Sequence, residues 1–381
     1  MSLSIDPVER GRELSAFIDV SWKIPAAVNH PQWVPPLRMM TRDLLDTKSN
    51  PFYREADRAL FIARRDGKPV GRIAAIENRA HNAFHADRTG FFGFFECVDD
   101  PEAAHGLFSA AEAWLRARGL ATIRGPMNPS TNQDCGLLVD GFDQHPQFLT
   151  SWNPPYYESL VRGAGLVPVK DRLGYWLPYG DPARRPPERF AALARRAAEK
   201  SNLSFRDLEP KRFWKEVELV WEIYNAAWED NWGFVPMARD EFLHMAKSLQ
   251  PLLLPQLAFV AEIGGAPAGF MLGMPDFNLV FKHIRNGRLL PTGLFRILFG
   301  KSRLRTGRVI ALGIKKEFRT RSLLPLFMHE ASRRALAVGF PGGEASWVLE
   351  DNRAMRQPIE SFGGYVYRRW RIYERPLQRS P

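Results

Sequence analysis

Three stretches hold the residues best suited to chemistry. KKEFRTRSLL, from Lys315 to Leu324, gathers Lys315, Lys316, Arg319 and Arg321 at the start of an apolar-striped segment. Free backbone N–H groups and the positive end of a helix dipole, with cations beside them, suit phosphate oxygens. In NAAWEDNWGFVP, from Asn225 to Pro236, Trp228 and Trp232 bracket Glu229, Asp230 and Asn231. Two indoles around two acids can wall an apolar pocket in which a carboxyl with a raised pKa serves as base. Equally, the acids can cap a helix while both indoles enter the core. The third set is a pair of Asn-started segments, NPPYYESLVRGAGL from Asn153 and NRAMRQPIESFGGY from Asn352. Metal chemistry is not expected. Cys97 and Cys135 are the only cysteines and form no CxxC pair, and His81 with His85 lies in the polar stretch AHNAFHADRTG, which reads as a surface loop.

The elements that must position these residues occur twice. Residues 60–76, LFIARRDGKPVGRIAAI, read as strand, turn, strand, and AFVAEIGGAPAGFMLGM at 258–274 repeats the pattern. Each hairpin is followed by a further strand, GFFGFFE at 90–96 or VIALGI at 309–314. Then comes an apolar-striped helix closed by glycine, at Gly119 or Gly339, and then an Asn-started segment. The preserved order predicts a duplication. The second copy carries about 22 extra residues between hairpin and helix, the first about 21 between helix and Asn segment. GDPARRPP, at 180–187, is the clearest break. The expected division is 1–180, a linker and connecting helix over 181–200, and 201–381 with an insertion at 276–308.

These residues resemble the GNAT superfamily of acyl-CoA-dependent N-acyltransferases, over nearly the whole chain as two units. The resemblance implies an α+β fold of two tandem units, each a mixed, mostly antiparallel sheet flanked by helices. It implies acyl-CoA as donor and a primary amine as acceptor, with no metal. The superfamily's pyrophosphate loop, R/Q-x-x-G-x-G/A, maps onto Arg319-Thr320-Arg321-Ser322-Leu323-Leu324 behind the strand ending at Ile314. Ile314, Lys315, Arg319, Arg321, Ser322 and Leu323 are thereby the expected cofactor contacts. Ser322 and Leu324 stand where small residues are usual, and Lys315, Lys316, Arg319 and Arg321 add charge. In the first unit Asp100-Pro101-Glu102 opens the matching helix, an acidic start that repels pyrophosphate. The motif N-x-x-A-x-x-L-Y-x-x-x-G-F maps onto Asn352, expected on the cofactor arm, but Met355 replaces Ala and Ile359 replaces the tyrosine acid. Asn153, Tyr156, Tyr157 and Gly165 fit in the first unit. GNAT enzymes often carry a carboxylate where Glu96 ends its strand, so Glu96 and Glu229 are the expected catalytic acids. Trp228, Asn231, Trp232, Asn132 and Tyr156 are the expected substrate contacts. Asn132 lies in GPMNPSTNQDCGLLVDGFDQHP, a first-copy insertion that reads as a lid or as an ordered packing loop.

Charge then points to a partner. The 381 residues carry 53 Lys and Arg against 42 Asp and Glu, a net of +11. Eight of the cations and none of the acids lie in FNLVFKHIRNGRLLPTGLFRILFGKSRLRTGR, 277–308, interleaved with Phe, Leu and Ile, so the rest of the chain is nearly balanced. Apolar bulk with one-signed charge suits an anionic membrane surface; two short helices with basic outer faces fit the same pattern. Nucleic acid is the weaker match, because the aromatics are Phe within apolar clusters. No apolar run approaches the roughly 20 residues that span a bilayer, and MSLSIDPVER lacks a secretory stretch, so a cytoplasmic location is expected, with a peripheral place on the inner membrane if the insertion binds lipid. Together with HPQWVPPLR, GFFGFFE, NPPYY and AWEDNWGFVP, the pattern is similar to a group of bacterial tandem-GNAT proteins that includes bacterial ceramide synthases, which implies a long-chain acyl group and a sphingoid-type amine. Two other functions remain open at this point: a tRNA-dependent aminoacyl transferase of tandem GNAT-like type, and a GNAT-derived binding protein without catalysis. The oligomeric state is not legible.

Overall fold

A computed structural model describes residues 2–9, 11–184, 192, 196, 199, 202–319 and 323–377. The chain forms two compact units, neither of them a continuous stretch. Unit 1 comprises Met1–Asp171, Val280–Leu298 and Arg368–Pro381; unit 2 comprises Arg172–Leu279 and Phe299–Tyr367. Most of the expected linker and connecting helix at 181–200 lies outside the described residues.

Strands β1 (Leu3–Val8), β2 (Ala56–Arg65), β3 (Lys68–Asn78), β4 (Thr89–Cys97) and β5 (Thr122–Gly125) of unit 1 lie in that order. The short strands β6 (Met127–Asn128) and β7 (Asp134–Cys135) pair with each other, and β8 (Leu137–Asp140) is a further strand of unit 1. Strand β9 runs Val167–Leu177. In unit 2 the order is β10 (Leu203–Asp207), β11 (Ala258–Ile263), β12 (Ala266–Pro275), β13 (Thr306–Ile314) and β14 (Gly342–Leu349), and the Arg172–Leu177 part of β9 pairs antiparallel with β14. The last strand, β15 (Tyr365–Pro376), pairs its Tyr373–Pro376 end with β5 and its Arg369–Arg371 part with β8. Each unit is thus a mostly antiparallel sheet with one parallel pair, β4 with β5 and β13 with β14. Helices pack against both sheets, which is the α+β class expected.

Local chemistry sets these elements the same way in both copies. Asp66 and Gly67, at φ 48° and 77°, close the β2–β3 hairpin, and Gly264 and Gly265, at φ 59° and 82°, close β11–β12. Two consecutive left-handed residues make the turn whose twist matches paired strands. The Pro101–Arg116 helix buries Ala103, Ala104, Leu107, Phe108, Ala111 and Leu115 against the sheet and ends at Gly119, where Leu120 N–H bonds Leu115 O. The Leu323–Ala337 helix buries Leu326 and Phe327 and ends at Gly339, where Phe340 N–H bonds Ala335 O. Both are glycine-terminated helix ends of one kind. Phe92, Phe108 and Tyr157 anchor the unit 1 core, and Phe259, Met271 and Phe327 one of the cores of unit 2.

The feature that positions a site is the fork in each sheet. β4 and β5 pair over only three residues, Thr89–Phe91 with Thr122–Arg124; β13 and β14 pair over four, Thr306–Val309 with Gly342–Ala345. Each central strand has a bulge here, between Arg72 and Ala74 of the β3 partner and between Leu272 and Gly273 of the β12 partner. A bulge inserts one residue and turns the strand, so the parallel ladder ends. In unit 1 the opening is filled from within: Phe94, at φ 49°, donates its N–H to Asn128 Oδ1 at 2.6 Å, and a Cβ on Gly93 would lie 1.7 Å from Met127 O. The 125–146 insertion is therefore ordered packing over this part, not a free lid. In unit 2 Val309–Leu312 and Ile314 stay partly exposed, whereas eight of the nine β4 residues are buried, Glu96 being the exception.

Gly93→Ala should cost about 3 kcal/mol or more of stability, because the methyl group meets a backbone carbonyl that cannot rotate away. Urea denaturation against the wild type measures it, and a loss below about 0.5 kcal/mol would mean the filler is loosely held.

Candidate functional site

In unit 1 the chemistry-bearing residues satisfy one another. Glu96, at the end of β4, accepts from Tyr157 Oη at 2.7 Å and from Ser21 Oγ at 3.2 Å, and lies 3.5 Å from Arg72 Nη2. Arg72 is fully enclosed. Its guanidinium donates to Phe17 O, Ile18 O and Ser21 Oγ, while its Nε has no partner, and burial lowers its pKa against the opposing pull of Glu96. Tyr157 Oη also accepts the Cys97 N–H at 3.1 Å, and Tyr156 Oη donates to Cys97 O at 2.7 Å. Burial raises both phenol pKa values and pushes the Cys97 thiol up to about 12, which keeps it a neutral thiol rather than a nucleophile. Asn153 is buried and mimics a peptide: its Oδ1 accepts from Leu138 N–H and its Nδ2 donates to Leu138 O. Asn132 lies in the turn between β6 and β7 with its N–H on Ser130 Oγ.

The helix start of unit 1 is also taken. Asp100 caps it by accepting the Ala103 N–H at 3.1 Å, and Arg65 bonds both Asp100 and Glu102. The carboxylate thus sits where an anion would, so this unit has neither an open fork nor a free helix start.

Unit 2 presents the opposite surroundings. The half-buried Trp228, last residue of the Phe213–Trp228 helix, donates its Nε1–H to Leu312 O on β13 at 3.0 Å. Lys315 N–H bonds Ala268 O, which fixes the chain as it leaves β13. Arg319 Nε donates to Ile314 O at 3.1 Å and its Nη2 to Ala227 O, so the loop folds back on the strand it left. Lys316 Nζ lies 3.0 Å from Glu229 Oε2 and 3.1 Å from Asp230 Oδ2. These hydrogen bonds raise the Lys316 pKa. They also offset two acids at a helix C-terminus, where the dipole disfavours them. Leu323 is buried at the start of its helix; Thr320, Arg321 and Ser322 lie outside the described residues. Asn352 caps the Arg353–Ser361 helix by accepting the Met355 N–H at 3.1 Å. Trp232 and Asn231 are half-buried, with Asn231 N–H on Trp228 O.

The structure therefore brings Ile314, Lys315, Arg319, Leu323, Trp228 and Glu229 to one edge of unit 2 and keeps Glu96, Tyr156 and Asn132 in unit 1. An apolar pocket around Glu229 does not form: the side chain is 57% exposed and ion-paired, as a helix-terminal acid, while Trp228 packs on Tyr224 and Phe234. The described part of the loop carries Lys315, Lys316 and Arg319 beside the half-exposed strand β13, with Lys316 paired to Glu229 and Asp230 and Arg319 bonded to Ile314 O and Ala227 O. Two features escaped sequence reasoning. One is the Arg72–Ser21–Glu96 network; an arginine amid the apolar IAAI side of β3 was its only signal. The other is in unit 2, where the parallel pairing ends: Glu344, fully buried, accepts from Ser346 Oγ and Tyr367 Oη and lies 3.4 Å from Arg308 Nε. An acid within the strand GGEASWVL marks it.

No family model matches the chain. It is 37% identical over 98% of both chains to a protein named bacterial ceramide synthase from Caulobacter vibrioides. It is 33% identical to the protein YghO of Escherichia coli, over 91% of this chain and 89% of that one. Among solved structures it is similar to a tandem GNAT protein from the clavulanic acid biosynthesis pathway, with a TM-score of 0.58 at 13% identity and full coverage of both chains, a likeness of fold.

Glu96→Gln should destabilise the protein by about 2 kcal/mol, since it leaves the enclosed Arg72 without its counter-charge. Glu229→Gln, at an exposed ion pair, should change stability by less than about 0.5 kcal/mol. Paired thermal unfolding curves separate the two, and equal shifts would mean that Arg72 is compensated by its backbone carbonyls alone.

Proposed function

The chain belongs to the family of the Caulobacter ceramide synthase and of YghO, and on that premise we propose that it is an N-acyltransferase that moves an acyl group from acyl-CoA to a primary amine, with a long-chain acyl group and a sphingoid-type lipid amine as the specific substrates. The single observation that supports a donor site in unit 2 is the contrast of the two forks. β13 stays half-exposed beyond its parallel pairing, while the equivalent part of β4 is closed by Met127 and Asn128. The lipid acceptor is the reading taken from the relative's name, and with it we propose a cytoplasmic location, peripheral on the inner membrane.

Acyl-CoA supplies a thioester carbonyl that the neutral amine attacks; the C–N bond forms, the C–S bond breaks, and the thiol leaves with a proton. The residues proposed to hold the donor are Ile314, Lys315, Arg319, Arg321, Ser322 and Leu323 around the pyrophosphate, with Asn352 on its arm. Charge-assisted bonds from Lys315 and Arg319, with backbone N–H groups of the Leu323–Ala337 helix, would fix the donor in register. Trp228, Asn231 and Trp232 are proposed on the acceptor side. Glu229, open to water one residue beyond the indole that bonds Leu312 O, is proposed to take the amine proton. Glu96, with Tyr156 and Asn132, is the alternative set, in unit 1. The usual tyrosine acid being Ile359 here, water is proposed to return the proton to sulfur.

Incubation of the purified protein with a long-chain acyl-CoA and a sphingoid base should give the N-acylated amine and free CoA by mass spectrometry. Product only with charged tRNA, or with no donor at all, would overturn this reading. Lys315→Ala with Arg319→Ala should raise KM for acyl-CoA about tenfold, near 1.4 kcal/mol, with a smaller change in kcat, whereas Arg65→Ala in unit 1 should leave KM unchanged. Glu229→Gln should lower kcat at least about a hundredfold; near-normal kcat in both it and Glu96→Gln removes both acids from the chemistry.

A further inference from the structure

Six of the fourteen exposed large apolar side chains among the described residues fall between Leu279 and Phe299. Their arrangement follows from helix geometry. In the Gly293–Gly300 helix, Gly293 and Ile297 are buried, one turn apart, and hold it down. Leu294 with Leu298, and Phe295 with Phe299, form the two ridges on the far side. Phe295 is 60% exposed, and Leu290, just before the helix, 72%. The segment that carries this face is well anchored within unit 1. Trp22 Nε1 donates to Arg285 O at 2.7 Å, and Arg38 donates its N–H to Gly287 O and its Nε to Asn286 O. Phe281 packs edge-on to Phe148. The apolar arc is thus presented from a fixed base, and around it Arg285, Arg288 and Arg296 are exposed.

We propose that the arc formed by Leu290, Leu294, Phe295 and Leu298 docks on the surface of an anionic lipid bilayer, with Arg285, Arg288 and Arg296 at the headgroups. The inference deepens the peripheral location proposed above and rests on it only for that location. Charge selects this occupant. Residues 277–308 contain eight Lys or Arg and no acid, so a second copy of the same patch would bring like charges together, while a bilayer offers hydrocarbon beneath a negative plane. At eight residues the helix is about 12 Å long, enough to lie in the interface and far too short to cross. Among the described residues no helix is long and apolar enough to span a membrane.

Sedimentation of the full chain with vesicles of phosphatidylcholine containing about one third phosphatidylglycerol tests this, against vesicles of phosphatidylcholine alone. The wild type should partition to the anionic vesicles at least about tenfold more strongly than to the neutral ones, and less as salt rises. Phe295→Ser with Leu298→Ser should lower that partition about tenfold or more, as should Arg288→Glu with Arg296→Glu. Equal binding to both vesicle types, unchanged binding by either variant, or a dimer that either variant dissociates without any vesicle binding would overturn the proposal. Acyl transfer to a water-soluble amine in vesicle-free buffer should be the same for wild type and variants. A wild type that acylates no amine, the sphingoid base included, fails the functional reading alone and leaves the vesicle result standing.

Discussion

Two parallel strands share a ladder only while they stay about 4.8 Å apart, and once a bulge turns one of them aside, every backbone group facing the gap needs another partner. Both sheets of this protein carry that constraint at the same place, and they meet it differently. In unit 1 the chain supplies the partners itself. Met127 enters against Gly93, Asn128 takes the Phe94 N–H, and Tyr156 and Tyr157 take the carbonyl and N–H of Cys97. In unit 2 the corresponding strand keeps partly exposed residues, and Trp228 satisfies only the Leu312 carbonyl. That difference in how the two strands are covered is the basis on which a ligand is proposed for unit 2 and not for unit 1.

Charge follows the same division. Asp100 and Glu102 occupy the helix start of unit 1 and are neutralised by Arg65, while Lys315, Lys316 and Arg319 precede the matching helix of unit 2 in the sequence. Each sheet has a buried arginine paired with a carboxylate near its fork, Arg72 on β3 with the half-buried Glu96 on β4 and Arg308 on β13 with the buried Glu344 on β14. Such pairs add little net stability over apolar packing, but losing one partner strands a charge. The two units share the order of elements and the bulge, and the insertion that closes over the β4 edge of unit 1 accounts for the unequal exposure.

The basic insertion shows how far pattern reading reaches. The run of eight cations without an acid is plain in the sequence, yet two opposed packings suit it. Burial sorts them by residue: Phe277, Phe281, Ile284 and Ile297 point inward, and Leu290, Leu294, Phe295, Leu298 and Phe299 do not. Arg308, counted with the basic run, is in fact an interior residue paired to Glu344.

Turn residues, helix caps and apolar periodicity act over a few positions, so the sequence alone determined the two hairpins, the two glycine-ended helices, the Asn352-capped helix and hence the tandem α+β plan, whereas Asn153 caps no helix and bonds Leu138 instead. Resemblance of the Arg319 loop and of the Asn352 segment then indicated the chemistry. Only the tertiary structure decided which acids are enclosed, because Glu96 and Glu229 look alike in the sequence and differ by what lies across from them: Tyr157, Ser21 and Arg72 in one case, Lys316 and solvent in the other. It also decided that Val280–Leu298 belongs with unit 1 and that the Arg172–Leu177 part of β9 belongs with unit 2. Those pairings join residues far apart in the chain, where no local propensity acts and only the fit of one surface to another selects the partner.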